Sequence, residues 1–257
     1  MYIIKRISGF FFTVYAFLVF VILMFILLPF IVIASFFGKI KGGNIIYKIC
    51  SLWADIAMLC WGMYHRNHYN KTYNLNTPAI YVFNHISYMD IPILMKTFRK
   101  MHVRILGKAE MTKIPIFGFI YKNAVVAVNR TSPAHRAKSV NNLKKVLGKN
   151  ISVVIAPEGT FNMTHHPLKE FYDGAFRIAI ETQTPIRPVI LLDAFDRMHH
   201  KSVFTMSPGK SRSIFLDEIN VAGLTPGDLP LLKQKVYDIM ETKLRNEKAS
   251  WIKDGIS

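Results

Sequence analysis

The sequence predicts an α/β fold: a mixed, largely parallel sheet flanked by helices, preceded by an N-terminal membrane-anchoring helical segment. Three observations carry that prediction. Beyond about residue 70, short apolar runs alternate with helical patterns, as expected of strands buried on both faces beneath covering helices. Residues 7–38 hold no charged side chain. An amphipathic helical pattern follows directly over residues 45–63.

Lys5 and Arg6 lead into the uncharged stretch, which includes Phe10-Phe11-Phe12 and an unbroken apolar run over residues 17–28. At about 1.5 Å per residue, roughly 20 such residues cross the hydrocarbon core, so the length suffices for a span. A cleavable signal peptide has a shorter apolar part, about 7–15 residues, and ends at a small-residue site that this run lacks. Pro29 lies about two thirds of the way along, where a proline kinks or breaks a helix, so a re-entrant or interfacial hairpin stands beside a straight span. Ile45, Ile46, Ile49, Leu52, Trp53, Ile56, Leu59, Cys60 and Met63 then recur at helical intervals, with Lys48, Ser51 and Asp55 between them. Such a helix either packs on a domain core or lies in the membrane interface. Residues 1–65 are therefore read as membrane anchor and amphipathic helix, and residues 66–257 as one α/β domain.

Charge points to the same setting. Lys and Arg number 33 against 16 Asp and Glu, a formal charge of +17, and the first acidic residue is Asp55. A field of that sign attracts anionic partners. Nucleic acid is disfavoured, because Lys39, Lys41, Lys48, Arg99, Lys100, Lys113 and Arg136 are scattered and no nucleic-acid module signature appears. Anionic lipid headgroups beside an apolar anchor fit better, and the basic residues after the anchor favour a cytoplasmic face. Cys50 and Cys60 match no metal or redox spacing and read as two reduced, packed thiols.

Within the domain, strands are expected over residues 79–83, 103–106, 124–128, 151–156, 186–192, 203–206 and 213–216. Helical patterns cover residues 89–98, 133–147, opened by Ser132 as cap and Pro133 at the first position, and 171–181. A last helix begins near Asp228 and puts Leu232, Val236, Ile239, Met240 and Leu244 on one face. No internal repeat or second linker interrupts this order.

Chemistry in such sheets gathers at strand ends. The first is Asn84-His85, with Asp90 five residues beyond His85. A neutral imidazole can take a proton from a hydroxyl near pH 7, and a carboxylate on its other nitrogen fixes the tautomer. The second is Asn129-Arg130, an obligate cation after an apolar strand. The third is Pro157-Glu158-Gly159-Thr160, where glycine admits close backbone approach and threonine offers a hydroxyl. Singly, Arg130 reads equally as a surface charge, Glu158 as a cap and Thr160 as a turn residue. His165-His166 and His199-His200 lack a completing cysteine or carboxylate set, so no metal site is predicted. Ser207-Pro208-Gly209-Lys210-Ser211 lacks phosphate-loop spacing and reads as a hairpin-like turn.

Taken in order, these blocks resemble the glycerolipid acyltransferases of the 1-acyl-glycerol-3-phosphate acyltransferase type, over roughly residues 70–245. Asn84-His85-Ile86-Ser87-Tyr88-Met89-Asp90 resembles that family's N-H-x-x-x-x-D block. Lys108-Ala109-Glu110, with Pro115 and Gly118, resembles the approach to a second block that Arg130 would end. Pro157-Glu158-Gly159-Thr160 resembles the third, Phe171 with Gly174-Ala175-Phe176 the following F-x-x-G-A segment, and Pro185-Ile186-Arg187-Pro188-Val189 the fourth.

The resemblance implies a membrane-bound O-acyltransferase that converts lysophosphatidate to phosphatidate, with His85 as base, Asp90 as its orienter, and acyl-CoA or acyl-carrier protein as donor. It implies no metal or organic cofactor. Asn84, Lys108, Arg130, Glu158, Gly159 and Thr160 would bind substrate, at the cytoplasmic (inner) membrane with the catalytic domain facing the cytoplasm. One departure affects the acceptor: Phe161 stands where the family usually continues with arginine, and Arg187 is the candidate replacement. Ala124 and Ala127 also differ from the family's usual glycine and aromatic. Other acceptors, such as a lysophospholipid or an acylated amino-acid lipid, and a non-catalytic lipid-binding protein remain alternatives. A hydrolase activating water is a third; the absence of a G-x-S-x-G elbow argues against a serine lipase.

Overall fold

The computed structural model describes residues 2–70, 77–128, 133–200 and 202–253. Helix α1 (Tyr2–Ser35) runs unbroken through Pro29. Of the two readings of Pro29, the break is not seen: its ring is on the exposed side and meets no packed neighbour. A π-helical turn (Gly38–Gly42) leads to α2 (Gly43–Cys60). The two helices form an antiparallel hairpin. At one end the Tyr15 hydroxyl donates to Cys60 O and Trp61 Nε1 donates to Ala16 O, both at 3.1 Å; at the other, Ile31, Ala34 and Ile46 cluster with Ala124 of the α/β body. Of the two free thiols, Cys50 is half-buried but Cys60 is exposed, so only one is packed.

Two polar ties join the hairpin to the body. Asp55 of α2 takes Lys96 Nζ at 2.5 Å and Arg99 at 2.7 Å. The buried Arg104 guanidinium donates to Lys39 O and Ile40 O, at 3.3 and 3.1 Å, in the turn between the helices. These bonds fasten the guanidinium to the turn, where Ile40 O also accepts from Gly43 N.

The helix stops short of Gly62, whose φ of +62° suits glycine, and strand β1 (Met63–Tyr69) takes Met63, the last residue of the helical spacing, into the sheet. This strand was not expected, because its inward residues are polar. His65 Nδ1 lies 3.1 Å from Ser211 Oγ and its Nε2 2.8 Å from Asn67 Oδ1. Asn67 Nδ2 donates to Thr97 O at 2.9 Å, and Thr97 Oγ1 meets Ser213 Oγ at 2.7 Å. Burial pushes the His65 imidazole down to about 4. The unfolded chain, titrating near 6.5, therefore binds more protons than the fold between those values, so this stability is present above pH 6.5 and is lost as pH falls toward 4. Thermal melts at pH 7 and 4.5 are expected to show a smaller acid-induced drop for His65→Gln than for the parent; equal drops would exclude this residue as the cause.

The remaining elements are β2 (Ile80–Phe83), α3 (Asp90–Thr97), β3 (Val103–Lys108), α4 (Phe117–Ala124), β4 (Val125–Val128), α5 (Pro133–Leu147), β5 (Ser152–Ile155), α6 (Gly174–Thr182), β6 (Ile186–Leu191), α7 (Ala194–Arg197), β7 (Gly209–Phe215) and α8 (Leu229–Asn246). The strands form one seven-stranded sheet in the order β1-β7-β6-β2-β5-β3-β4, with only β6 and β7 antiparallel. Every residue of β2, β5 and β6 is buried, as central parallel strands require. Helices α5, α6 and α8 make one covering layer, while α3 packs on β1, β7 and α2.

Residues 203–206 are not the expected strand. Val203–Thr205 form a 3-10 turn capped by Ser202, and Phe204 packs on Phe10 of α1 with ring centroids 5.2 Å apart. The apolar residues there serve the hairpin and not the sheet. The following residues 207–211 lead from that turn into β7 instead of joining two strands.

Candidate active site

Parallel pairing brings the C-terminal ends of β2, β3 and β5 to one edge of the sheet, so the residues that follow these strands meet there. Asn84 comes first after β2. It is buried, accepts from Leu191 N at 2.8 Å and donates to Leu191 O at 3.2 Å. The side chain thus extends the β2–β6 ladder by one rung, a structural clamp in place of the expected ligand role.

His85 is held from every side but one. Its backbone N–H donates to Glu158 Oε1 at 2.8 Å, and its carbonyl accepts from Asn162 N at 2.7 Å. Nδ1 lies 2.7 Å from Asp90 Oδ2, the imidazole a quarter exposed and the carboxylate 1% exposed. The same Oδ2 accepts from Ile86 N and Ser87 N, at 2.9 and 3.1 Å. Asp90 opens α3, where a carboxylate is favoured by the helix dipole. With Nδ1–H donated to Asp90, Nε2 carries the lone pair, and it has no hydrogen bond among the described residues.

Because all three bonds end on Oδ2, Asp90→Asn can keep each of them on its amide oxygen and remove the charge, at the cost of an NH2 at the buried, unpartnered Oδ1 position. A hydrogen bond to a charged group is worth about 1.5–3 kcal/mol, so turnover is expected to fall about 10- to 100-fold while the His85 contacts persist. A variant as active as the parent would show that the imidazole needs no anion behind it.

The turn after β5 carries the third block. Gly159 has φ +71°, a conformation that side-chain-bearing residues rarely adopt. It sends Glu158 inward, where Oε1 takes His85 N and Oε2 takes Lys169 N at 3.0 Å. Burial pushes the Glu158 carboxyl up to about 8, against the pull of those two N–H groups. Glu158, expected to bind substrate, instead ties the His85 loop to residues 160–169. Thr160 is exposed, and its hydroxyl accepts from Lys169 Nζ at 2.6 Å. Phe161 packs edge-on against His85 and Tyr88, with centroids 4.4 and 4.8 Å apart.

Lys108 is the exposed last residue of β3 and borders the same cleft. Arg130 lies outside the described residues. Arg187 is not brought to the site. It pairs with Tyr81 near the start of β6, at the opposite edge of the sheet, and β6 neighbours β2 instead of β5. Buried there, it donates to Glu218 at 2.6 Å, the Tyr81 hydroxyl at 3.1 Å and Thr77 Oγ1 at 2.9 Å. Lys169 and Asn162 were not anticipated; only the nearness of Lys169 to Phe171 in sequence hinted at a role.

An apolar cavity of about 1230 Å³ opens at His85 and Phe161 and runs between the hairpin and the sheet edge. Phe20, Leu27 and Ile31 of α1, Trp53 of α2, and Leu106 and Ile120 of the body line it. Few polar groups converge there besides those at the mouth, a composition suited to hydrocarbon.

A histidine–carboxylate pair at the mouth of an apolar cavity, on an α/β sheet backed by a helical hairpin, is the layout of a lipid-handling enzyme. The Acyltransferase family model matches residues 54–192, over half of the chain, and the chain belongs to that family. It is 32% identical over 157 residues to the 1-acyl-sn-glycerol-3-phosphate acyltransferase of Cocos nucifera, covering 60% of this chain and 49% of that protein. It is 28% identical over 166 residues to the human 1-acyl-sn-glycerol-3-phosphate acyltransferase beta, covering 64% and 59%. The chain thus spans about half the length of such relatives. The crystal structure of the 1-acyl-sn-glycerophosphate (LPA) acyltransferase PlsC from Thermotoga maritima superposes with a TM-score of 0.76 at 20% identity, covering 97% of this chain and all of that one; this establishes the shared fold.

Proposed function

We propose that the chain transfers a fatty acyl group from acyl-CoA or acyl-carrier protein to the free hydroxyl of 1-acyl-glycerol-3-phosphate, giving phosphatidate at a membrane surface. The observation that carries this reading is the free Nε2 of His85 at the mouth of the apolar cavity, with Asp90 behind it. Nε2 takes the hydroxyl proton as the oxygen attacks the thioester carbonyl. The C–S bond breaks, the acyl–oxygen bond remains, and the imidazolium returns its proton to the departing thiolate. Asp90 stabilises the imidazolium through Nδ1, and proton transfer of this kind contributes about 10²- to 10⁴-fold. Positioning supplies much of the remainder, which is what the clamps of Glu158 and Asn162 on the His85 backbone favour.

Arg130, Lys108 and the Gly159-Thr160 turn hold the acceptor's phosphate in this reading. Residues 1–65 hold the anchor and residues 66–257 the catalytic domain, except that β1 carries the sheet back to Met63, with the body on the cytoplasmic face of the inner membrane. Among the described residues two helices are long and apolar enough to cross a membrane, and many exposed residues of α1 are large and apolar, in keeping with membrane attachment. Phe161 gives a second reading its footing: an acceptor with another headgroup would not need the missing guanidinium.

The test is to incubate purified, detergent-solubilised protein with labelled acyl-CoA or acyl-carrier protein and a panel of lysolipids, with His85→Ala as control. Acylation of lysophosphatidate supports the first reading and preference for an acceptor without phosphate supports the second. No acylated product from any of them would sink both.

A further inference from the structure

Phe161 leaves an electrostatic gap beside the proposed base. An acceptor phosphate carries up to two negative charges, and desolvating them beside an aromatic wall is unfavourable unless a cation meets them. The turn itself supplies one. Lys169 borders the same cavity as His85. Its backbone N–H is fixed on Glu158 Oε2 at 3.0 Å, and its ammonium reaches back to Thr160 Oγ1 at 2.6 Å. The charge therefore sits over the turn whose other end clamps His85.

Three features suit this ammonium to an incoming anion. One of its three N–H groups is engaged by Thr160, which leaves two donors. Among the described residues it forms no ion pair with a carboxylate. The Thr160 hydroxyl, accepting from Lys169, has its own proton free to donate onward.

We propose that Lys169 Nζ and the Thr160 hydroxyl form the anion-holding site for the acceptor's phosphomonoester, in place of the guanidinium that Phe161 displaces, with Lys108 adding a cation from the β3 side. This rests on the acyltransferase reading for its turnover assay, and on binding alone for its direct test. Lysine offers a point charge with rotatable donors where arginine offers a planar fork, so the site recognises the charge of the phosphate more than its orientation.

The experiment compares Lys169→Met and Lys169→Arg in the full chain. Loss of a charge-assisted contact of about 1.5–3 kcal/mol is about 10- to 100-fold. Lys169→Met is therefore expected to raise the KM for lysophosphatidate by that factor, with kcat within a few-fold and the donor KM unchanged. Lys169→Arg is expected to stay close to the parent, and monoacylglycerol, which lacks the phosphate, should show no difference between the proteins. An unchanged lysophosphatidate KM, an equal loss with monoacylglycerol, or a rise confined to the donor KM would each overturn the assignment; the last would place donor phosphates on Lys169. Lysophosphatidate binding to the non-transferring His85→Ala protein, with and without Lys169→Met, separates the two ideas. Weakened binding by a chain that acylates nothing keeps the anion site and removes the acyltransferase reading. Unweakened binding by an active chain does the reverse.

Discussion

His85→Ala is expected to lower acyl transfer by about 10²- to 10⁴-fold, the range assigned to a positioned general base, while leaving the fold intact. The fold survives because what anchors this loop does not need the imidazole. The main-chain bonds to Glu158 and Asn162, and those from Ile86 and Ser87 to Asp90, are made without the ring. What disappears are the edge contacts with Phe161 and Phe83 and the Nδ1 bond, so a stability loss of about 1–3 kcal/mol is expected, as for a typical damaging substitution. Steady-state assays beside a thermal melt separate the effects. A folded His85→Ala protein with parental kcat/KM would exclude His85 as the base. His85→Gln sharpens the test, because the amide fills much of the space and can bond to Asp90 yet cannot accept a proton near pH 7. It should be as inactive as alanine if proton transfer matters, and intermediate if packing of Phe161 does.

The histidine–carboxylate pair was legible because its geometry is local. Four intervening residues make the turn into α3, and a carboxylate at the first position of a helix is already aimed at the loop before it. The alternating apolar runs likewise exposed the central strands, whose burial on both faces demands mostly apolar side chains, with Ser152 and Arg187 as buried polar exceptions. Other assignments failed where local pattern and tertiary placement separate. β1 rests on a hydrogen-bonded layer of His65, Asn67 and Thr97, so no apolar run announces it. Arg187 interrupts an apolar strand, which by local pattern alone suggests a ligand, but strand order and its place near the start of β6 put it at the far edge. Asn84 and Glu158 belong to recognisable blocks yet act on the backbone; spacing alone cannot distinguish a clamp from a ligand. Lys169 lies eight residues after Phe161 in sequence, and only the turn that folds back onto Thr160 brings them into one site.

Replacing Phe25, Phe30 and Ile33 together with glutamate is expected to release the protein from anionic vesicles without unfolding it. The apolar uniformity of α1 hides which face is which: a helix apolar all round gives no periodic signal. In the fold the faces differ. Thr13, Ala16, Leu27, Ile31 and Ala34 are buried against α2 and the body, while Phe11, Leu18, Ile22, Phe25, Phe30 and Ile33 are exposed. The helix also touches the body near both ends, through Phe10 on Phe204 and through Ile31 and Ala34 beside Ala124. At about 1.5 Å per residue, its 34 residues extend about 50 Å. A helix tied to one body near both ends cannot cross a hydrocarbon core of about 30 Å without drawing that body in. The expected arrangement is instead along the surface, with the exposed stripe in the lipid. Burying a large apolar side chain is worth about 1.5–3 kcal/mol from full exposure, and these three are about half exposed, so removing them forfeits about 3 kcal/mol, or about 100-fold in partitioning, before anionic repulsion is added. Co-sedimentation with vesicles measures that loss. The orientation has its own readout: a cysteine placed near residue 4, in a chain whose Cys50 and Cys60 are serine, should be labelled by a membrane-impermeant reagent from the side on which the catalytic body is digested. Labelling from the opposite side would establish a true span and detach the N-terminal half of α1 from the body.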